Sequence, residues 1–138
     1  MKTNAMALLG MILFFLLGCK QGSNDYDFIH TQFDIPESVD WVLVINPSAC
    51  KGCLDNLFSQ IYEANLSRGA LLIISPSSKT YLSNPHLSQL DIPILFDTKR
   101  FLITDGLFDV SDELILLKSD KSQKFSTDDW TSLQENLD

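Results

Sequence analysis

Two apolar runs in the middle of the chain are separated by residues that follow a different pattern. Residues 41–45 and 70–74 are unbroken apolar runs, and such runs predict strands of a parallel sheet that is covered on both faces. Between the runs, one face of a predicted helix is formed by Leu54, Leu57, Phe58, Ile61 and Tyr62. We expect this helix to end near Gly69, because glycine commonly follows the last helical turn.

The next part of the chain predicts a shorter strand and a shorter helix. Residues 79–90 contain a proline and predict a loop with at most one short helix. A third apolar run at residues 92–96 predicts another strand. Asp97 follows this run, in a position to cap a helix that extends to about residue 104.

The last part of the chain predicts a hairpin and a closing helix. Residues 113–118 and 123–125 are separated by four polar residues and predict paired strands. The sequence Ser126-Thr127-Asp128-Asp129 resembles a capping box that opens a helix. A strand–helix–strand unit followed by a hairpin and a helix predicts an α/β fold with a mixed central sheet flanked by helices.

The N-terminal residues have the pattern of a signal peptide. One positive charge, Lys2, precedes a mostly apolar run at residues 5–17, which is short for a membrane-spanning helix. The run ends in Leu16-Leu17-Gly18-Cys19, which resembles a bacterial lipobox, and this resemblance implies acylation of Cys19. The alternative is an ordinary secretory signal with an incidental cysteine.

This pattern predicts three regions and a location. We expect residues 1–18 to be a lipoprotein signal peptide, residues 19–32 a lipid-anchored tether, and residues 33–138 one folded domain. Lys20 occupies the position where lipoproteins retained at the inner membrane commonly carry aspartate. We therefore expect a protein of the bacterial cell envelope, lipid-anchored at the outer membrane and facing the periplasm.

The charge balance excludes one class of partner. The chain has 18 acidic residues against 10 basic ones and a net charge of −8. It therefore lacks the basic stripe that binding to a phosphate backbone requires, and nucleic acid is not an expected partner. Outside the tether the sequence shows no repeat and no low-complexity tract, and we expect a monomer.

Two cysteines carry the candidate chemistry. If Cys19 is acylated, Cys50 and Cys53 are the only remaining thiols, in a compartment that is oxidising. They can pair with each other, bind a metal, or meet a cysteine of a partner. A structural zinc site needs four ligands, and His30 and His86 lie in unrelated polar stretches, where they are predicted to be surface residues. We therefore expect no metal and no cofactor.

The Cys-x-x-Cys motif follows a buried strand and precedes a helix, and with the later hairpin and helix it resembles the thioredoxin-like fold. The extra strand at residues 92–96 is similar to the insertion in envelope thiol–disulfide oxidoreductases and peroxiredoxin-type domains. The resemblance implies that Cys50 attacks a substrate disulfide at the start of the helix and that the more buried Cys53 resolves it. Lys51 and Gly52 would modulate the pair, Lys51 as an adjacent cation. Protein thiols and disulfides would be the partners.

The sequence also departs from this family. Ala49 stands where an aromatic residue usually precedes the first cysteine, and residues 110–113 contain no proline where the family usually has one in the cis form before the hairpin. Two other functions therefore stay open. One is a non-catalytic thioredoxin-like interaction module whose Cys50–Cys53 disulfide is inert, and the less favoured one is a thiol pair that handles copper or another metal.

Overall fold

A computed structural model describes residues 25–50 and 52–137. The helices are α1 (Asp25–Gln32), α2 (Leu54–Glu63), α3 (Lys79–Leu82), α4 (Phe101–Thr104) and α5 (Trp130–Glu135), with a 3-10 turn at Leu87–Gln89. The strands are β1 (Trp41–Ile45), β2 (Gly69–Ile73), β3 (Ile94–Phe96), β4 (Leu114–Lys118) and β5 (Lys121–Phe125).

The five strands form one mixed sheet in the order β3-β2-β1-β4-β5. β1 and β2 run parallel and so do β2 and β3, whereas β4 is antiparallel to both β1 and β5. The loop that carries Cys50 and Cys53 therefore follows β1, the strand at the centre of the sheet. Open α/β sheets place their sites at such carboxyl ends of strands.

Helices cover both faces of the sheet. Alternate residues of β1 point to opposite sides, and Leu43 belongs to one buried cluster while Val44 belongs to the other. The Leu43 side is covered by α2 and α5, and the Val44 side by α1 and by Leu102 of α4. Both faces are buried, which explains why every residue of β1 and every residue of β2 after Gly69 is apolar.

These observations confirm the predicted fold class. The fold is α/β, with the thioredoxin-like order of elements, a mixed central sheet flanked by helices and one inserted strand, β3. Asp97 also has its predicted role, since its carboxylate accepts hydrogen bonds from the N–H groups of Phe101 and Leu102, both at 2.9 Å. The hairpin turn is shorter than predicted and consists of Ser119 and Asp120 alone.

The boundary between tether and domain needs correction. Residues 25–32, which were assigned to the tether, form α1, and its Tyr26 and Ile29 are buried against the sheet. The acidic residues Asp25 and Asp27 gave this segment the composition of a linker, but two apolar residues one turn apart are enough to dock a short helix. The assignments of residues 1–18 and of Cys19 lie outside the described residues.

The predicted role of Gly69 was wrong. α2 ends at Glu63, and Gly69 is the first residue of β2, directly opposite Trp41 of β1. The indole of Trp41 occupies the space that a side chain at position 69 would fill. Glycine is therefore needed here because the Trp41 ring lies close to the backbone of the neighbouring strand, and not for ending a helix.

The predicted capping box was also wrong. The residue that precedes α5 is Asp129, and its side chain makes no capping hydrogen bond. The hydroxyl groups of Ser126 and Thr127 donate instead to the carboxylate of Glu113, at 3.1 and 2.9 Å. Ser126 and Thr127 therefore join the end of β5 to the residue before β4, and they do not cap α5.

Candidate functional site

The register of the sheet brings three separate segments to one end. Ile45 of β1 lies opposite Leu114 of β4, and Leu114 lies opposite Phe125 of β5. The residues that follow β1, precede β4 and follow β5 therefore meet at the same edge of the domain. This edge contains both cysteines of the Cys-x-x-Cys motif.

Cys50 and Cys53 are joined to each other as a disulfide, with their Cα atoms 6.1 Å apart. Cys50 is buried, with 7% of its surface exposed. Cys53 is partly exposed and stands at the N-cap position of α2, where its side chain makes no capping hydrogen bond. The expectation that Cys50 begins the helix and that Cys53 is the more buried sulfur was therefore wrong.

The backbone conformation of Gly52 explains why α2 begins at Leu54 and not at Cys50. Its φ of +94° lies in the left-handed region, which a right-handed helix cannot contain and which side chains disfavour. The chain therefore turns helical only from Leu54 onward. Lys51, expected to supply a neighbouring cation, lies outside the described residues.

A hydroxyl contacts the buried sulfur. Thr127 Oγ1 lies 3.2 Å from Cys50 Sγ, and Thr127 is itself buried. Its hydroxyl and its backbone N–H are 2.9 and 2.7 Å from the same carboxylate oxygen of Glu113. Cys50, Thr127 and Glu113 thus form one chain of contacts.

Hydrogen bonds hold Glu113 as an anion. The bond from the backbone N–H of Thr127 lowers its pKa most strongly, partial burial opposes this, and the hydroxyls of Thr127 and Ser126 lower the pKa further. The negative charge of Glu113 is therefore separated from Cys50 by a single hydroxyl group.

Asn46 fixes the loop between β1 and the cysteines. Its buried side chain donates to the carbonyl of Val110 at 3.1 Å and accepts from the N–H of Ser48 at 3.2 Å. Its backbone N–H donates to the carbonyl of Glu113 at 2.9 Å. Asn46 therefore ties the cysteine loop to the segment that precedes β4.

That segment is the place where the family usually has its cis-proline. Residues 110–113 are joined by trans peptide bonds, and no cis bond occurs in residues 25–50 or 52–137. Asp112 lies in this segment, and its carboxylate forms an ion pair of 2.9 Å with Lys124. Val110 is 60% exposed and places an apolar side chain on this edge.

A surface cleft adjoins Gly52. It has a volume of about 290 Å³. It is lined by Gly52, Leu54, Asp55, Phe58, Thr80, Tyr81 and Asn84. A mixed apolar and polar cleft thus lies beside the loop that carries the disulfide.

Other predicted features stand apart from this edge. His30 is half-buried and not the fully exposed surface residue that was predicted, and its Nε2 atom is buried without a hydrogen-bond partner. Among residues 25–50 and 52–137 no group of three or more His, Cys, Asp or Glu side chains is arranged to hold a metal ion. Within the same residues no helix is long and apolar enough to cross a membrane.

Sequence reasoning identified the cysteine pair and missed Thr127 and Glu113 as parts of the site. Thr127 lies 77 positions from Cys50, and only the register of β1, β4 and β5 brings them together. A hairpin predicted with a two-residue turn would have placed Glu113 beside Ser126. No local pattern in the sequence marks Thr127.

The chain is similar to two solved structures, each at less than 20% sequence identity. The chain matches no protein-family model, and it matches no curated protein. The crystal structure of the C-terminal domain of an uncharacterized protein from Bacteroides fragilis NCTC 9343 is 14% identical, with a TM-score of 0.45, over 76% of this chain and 81% of that one. A thioredoxin-like protein from Bacteroides caccae ATCC 43185 is 19% identical, with a TM-score of 0.39, over 72% of this chain and 40% of that one.

Proposed function

We propose that this protein is a thiol–disulfide oxidoreductase that acts through Cys50 and Cys53. The observation that carries the proposal is the position of the pair at the carboxyl end of the central strand: the sulfur of Cys50 is buried against Thr127, and Cys53 is partly exposed at the N-cap position of α2. A pair in which one sulfur is sheltered and the other accessible is suited to exchange with a substrate disulfide.

The pair is a poor structural crosslink. A loop closed by residues three apart in sequence stabilises a domain by only about 2 kcal/mol in the chain-entropy estimate. The core on both faces of the sheet is already continuous without it. Redox exchange therefore explains this disulfide better than stability does.

The reduction potential tests the proposal. The experiment uses the full chain with Cys19→Ala in mild detergent, so that Cys50 and Cys53 are the only thiols, equilibrated against glutathione or dithiothreitol. A value between about −270 and −120 mV supports an oxidoreductase and indicates the direction of electron flow. A value below about −300 mV marks a disulfide that stays closed.

The second candidate is a non-catalytic interaction module. The burial of Cys50 favours it, because a buried sulfur resists reduction when the domain does not open. A test of catalysis separates the two functions: the oxidoreductase accelerates the reduction of insulin by dithiothreitol, and the Cys50→Ala/Cys53→Ala variant does not. A wild-type chain no faster than this variant supports the module.

We also propose that the protein is anchored to the bacterial envelope by a lipid on Cys19. The support is the sequence Leu16-Leu17-Gly18-Cys19 after an apolar run. Only residues 20–24 separate Cys19 from α1, so the domain would lie within about 20 Å of the membrane. Metabolic labelling with a tagged palmitate should mark the wild-type chain and not the Cys19→Ala variant.

A further inference from the structure

We infer that the surface cleft between α2 and α3 selects substrates, and that it takes the side chain of an arginine close to the reactive cysteine of a substrate polypeptide. The inference rests on the proposed function and adds to it a class of substrate. We call this surface the α2–α3 cleft. It is lined by Gly52, Leu54, Asp55, Phe58, Thr80, Tyr81 and Asn84.

The position of the α2–α3 cleft suits a polypeptide that reacts at the disulfide. Gly52 lies both in the loop closed by Cys50 and Cys53 and in the wall of the cleft. An extended chain covers about 3.3 Å per residue. A side chain a few residues from a substrate cysteine can therefore reach the cleft while that cysteine is at the pair.

The size of the cleft suits a single side chain. Its volume of about 290 Å³ is at the lower limit of the pockets of about 300–1,000 Å³ that hold small molecules. Phe58 is buried, and Leu54 and Tyr81 are partly buried. The cleft therefore offers apolar surface to the aliphatic part of a long side chain whose charged end stays near water.

The ring of Tyr81 is held by two other rings. Its centre lies 6.1 Å from that of Phe58, with the ring planes at 84°, and 6.3 Å from that of Phe96. Tyr81 is also partly exposed. An aromatic ring at such a position attracts a cation to its face, and the cation is more often arginine than lysine.

The carboxylate of Asp55 supplies a negative charge at the same cleft. The side-chain oxygen of Asn84 accepts the N–H groups of His86 and Leu87 at 3.0 and 3.3 Å, and its nitrogen lies 3.5 Å from Asp55 Oδ1. Within the described part of the chain, both ion pairs join other residues, and Asp55 Oδ2 accepts no hydrogen bond. A guanidinium group can therefore donate to Asp55 and contact the ring of Tyr81 in one cleft.

Three features limit the strength of this attraction. Lys79 is exposed next to Thr80 in sequence. Asp55 lies in the first turn of α2, whose dipole offsets part of its charge, and it is exposed, so salt screens it. We therefore expect discrimination of about threefold to tenfold, as a cation on an exposed ring and a surface ion pair together give.

Binding is tested on the full chain carrying Cys19→Ala, in mild detergent, with the Cys50–Cys53 disulfide closed. The probes are short peptides in which serine replaces the reactive cysteine and one arginine stands one to four residues from it. Glutamine at the same position gives the reference. We expect the best arginine peptide to bind about threefold to tenfold more tightly than its reference at low salt, and to shift the NMR signals of Thr80 and Asn84. Equal affinities at every position overturn the inference.

The role of Asp55 is tested by removing its charge. Asp55→Asn should abolish the part of the arginine preference that falls as salt is raised. Asp91→Asn is the matched control and should keep the preference, because Asp91 is exposed before β3, at the end of the sheet opposite the disulfide. A salt-dependent preference that survives in Asp55→Asn assigns the attraction to another group and contradicts the inference.

Two more positions complete this test. Tyr81→Phe keeps the ring and should keep the arginine preference, whereas Tyr81→Leu should reduce it. Lys51→Ala should leave the preference in place. A preference that emerges only in Lys51→Ala would show that a cation of this chain already pairs with Asp55, and the inference would then be wrong.

Reaction rates separate this inference from the proposed function. The reduced protein is mixed with the same peptides, now carrying cysteine as a mixed disulfide with glutathione. Each turnover breaks that S–S bond, releases the peptide and glutathione as thiols, and closes the Cys50–Cys53 disulfide. Equal rates for arginine and glutamine peptides keep the proposed function and overturn the inference. Preferential binding of arginine peptides without any turnover loses the proposed function and keeps the cleft as a peptide-binding site.

Discussion

The indole of Trp41 lies over the Cα atom of Gly69, its directly opposed neighbour in the parallel pair β1–β2. Trp41 is buried, and its ring belongs to the cluster that α2 and α5 cover. The contact holds the first residue of β1 against the first residue of β2. A side chain at position 69 would have to displace the ring.

Gly69→Ala should therefore destabilise the domain. We expect a loss of about 1–3 kcal/mol in the free energy of unfolding, the usual cost of an overpacked core, measured by urea denaturation. In a double-mutant cycle, Trp41→Leu should relieve much of this loss, because the smaller side chain leaves room for the methyl group. Strictly additive losses would show that the two residues do not compete for space.

Asp97→Ala should also destabilise the domain. The Asp97 carboxylate is buried and accepts the N–H groups of Phe101 and Leu102, which would be left without partners. We expect a loss of about 1–3 kcal/mol in the free energy of unfolding, and a smaller loss for Asp97→Asn, which keeps one acceptor oxygen. Asp91→Ala, at an exposed position, is the control and should stay within about 0.5 kcal/mol of wild type.

Gly52→Ala should affect both stability and redox behaviour. Gly52 and Gly106 both have positive φ, +94° and +72°, and an added Cβ would contact nothing at either position. Each alanine should therefore cost about 1–2 kcal/mol through backbone strain alone. Only Gly52→Ala should raise the reduction potential, because its residue lies inside the loop that the disulfide closes. An equal change of potential in Gly106→Ala would contradict this explanation.

His30 should make the stability depend on pH near neutrality. Burial lowers its pKa, and the charge of Asp27 opposes the shift only in part. The unfolded chain therefore binds the proton more readily, and stability present above pH 6.5 is lost as the pH falls below that value through the lower pKa of the folded state.

His30→Phe should flatten this dependence between pH 7 and pH 5. The phenyl ring can keep the packing on Tyr26, whose ring centre lies 4.1 Å from that of His30. The slope lost is at most about 1.4 kcal/mol per pH unit, the effect of one proton. Urea denaturation at several pH values measures it, with His86→Phe as the control. A slope that survives in His30→Phe would assign the dependence to other groups.

The sequence predicted the centre of the fold better than its edges. β1 and β2 could be recognised because strands covered on both faces are apolar at every residue, as Val42 and Leu43 are. α1 could not, because only Tyr26 and Ile29 dock it and its remaining residues, apart from the exposed Phe28, are polar. Short elements carry too few residues for a periodic pattern to stand out.

The candidate site, like the fold, could be predicted only in part. The position of Cys50 and Cys53 after the central strand could be predicted from their spacing and from the strand and helix around them, whereas their pairing was one of three alternatives. The burial of Cys50 does not, because it depends on Thr127, which reaches the site only after the hairpin has set its register. Contacts between residues far apart in sequence are decided by tertiary packing and leave no local signal.

The two outer strands of the sheet bear on how partners can approach. β3 has three residues and is preceded by Pro93, and β5 carries Lys121 and Lys124 along an exposed flank. Short strands, proline and lysine are the features that keep a sheet from adding a foreign strand. Both outer strands are therefore protected against lateral pairing, and the disulfide lies at the loop end of the sheet, away from them.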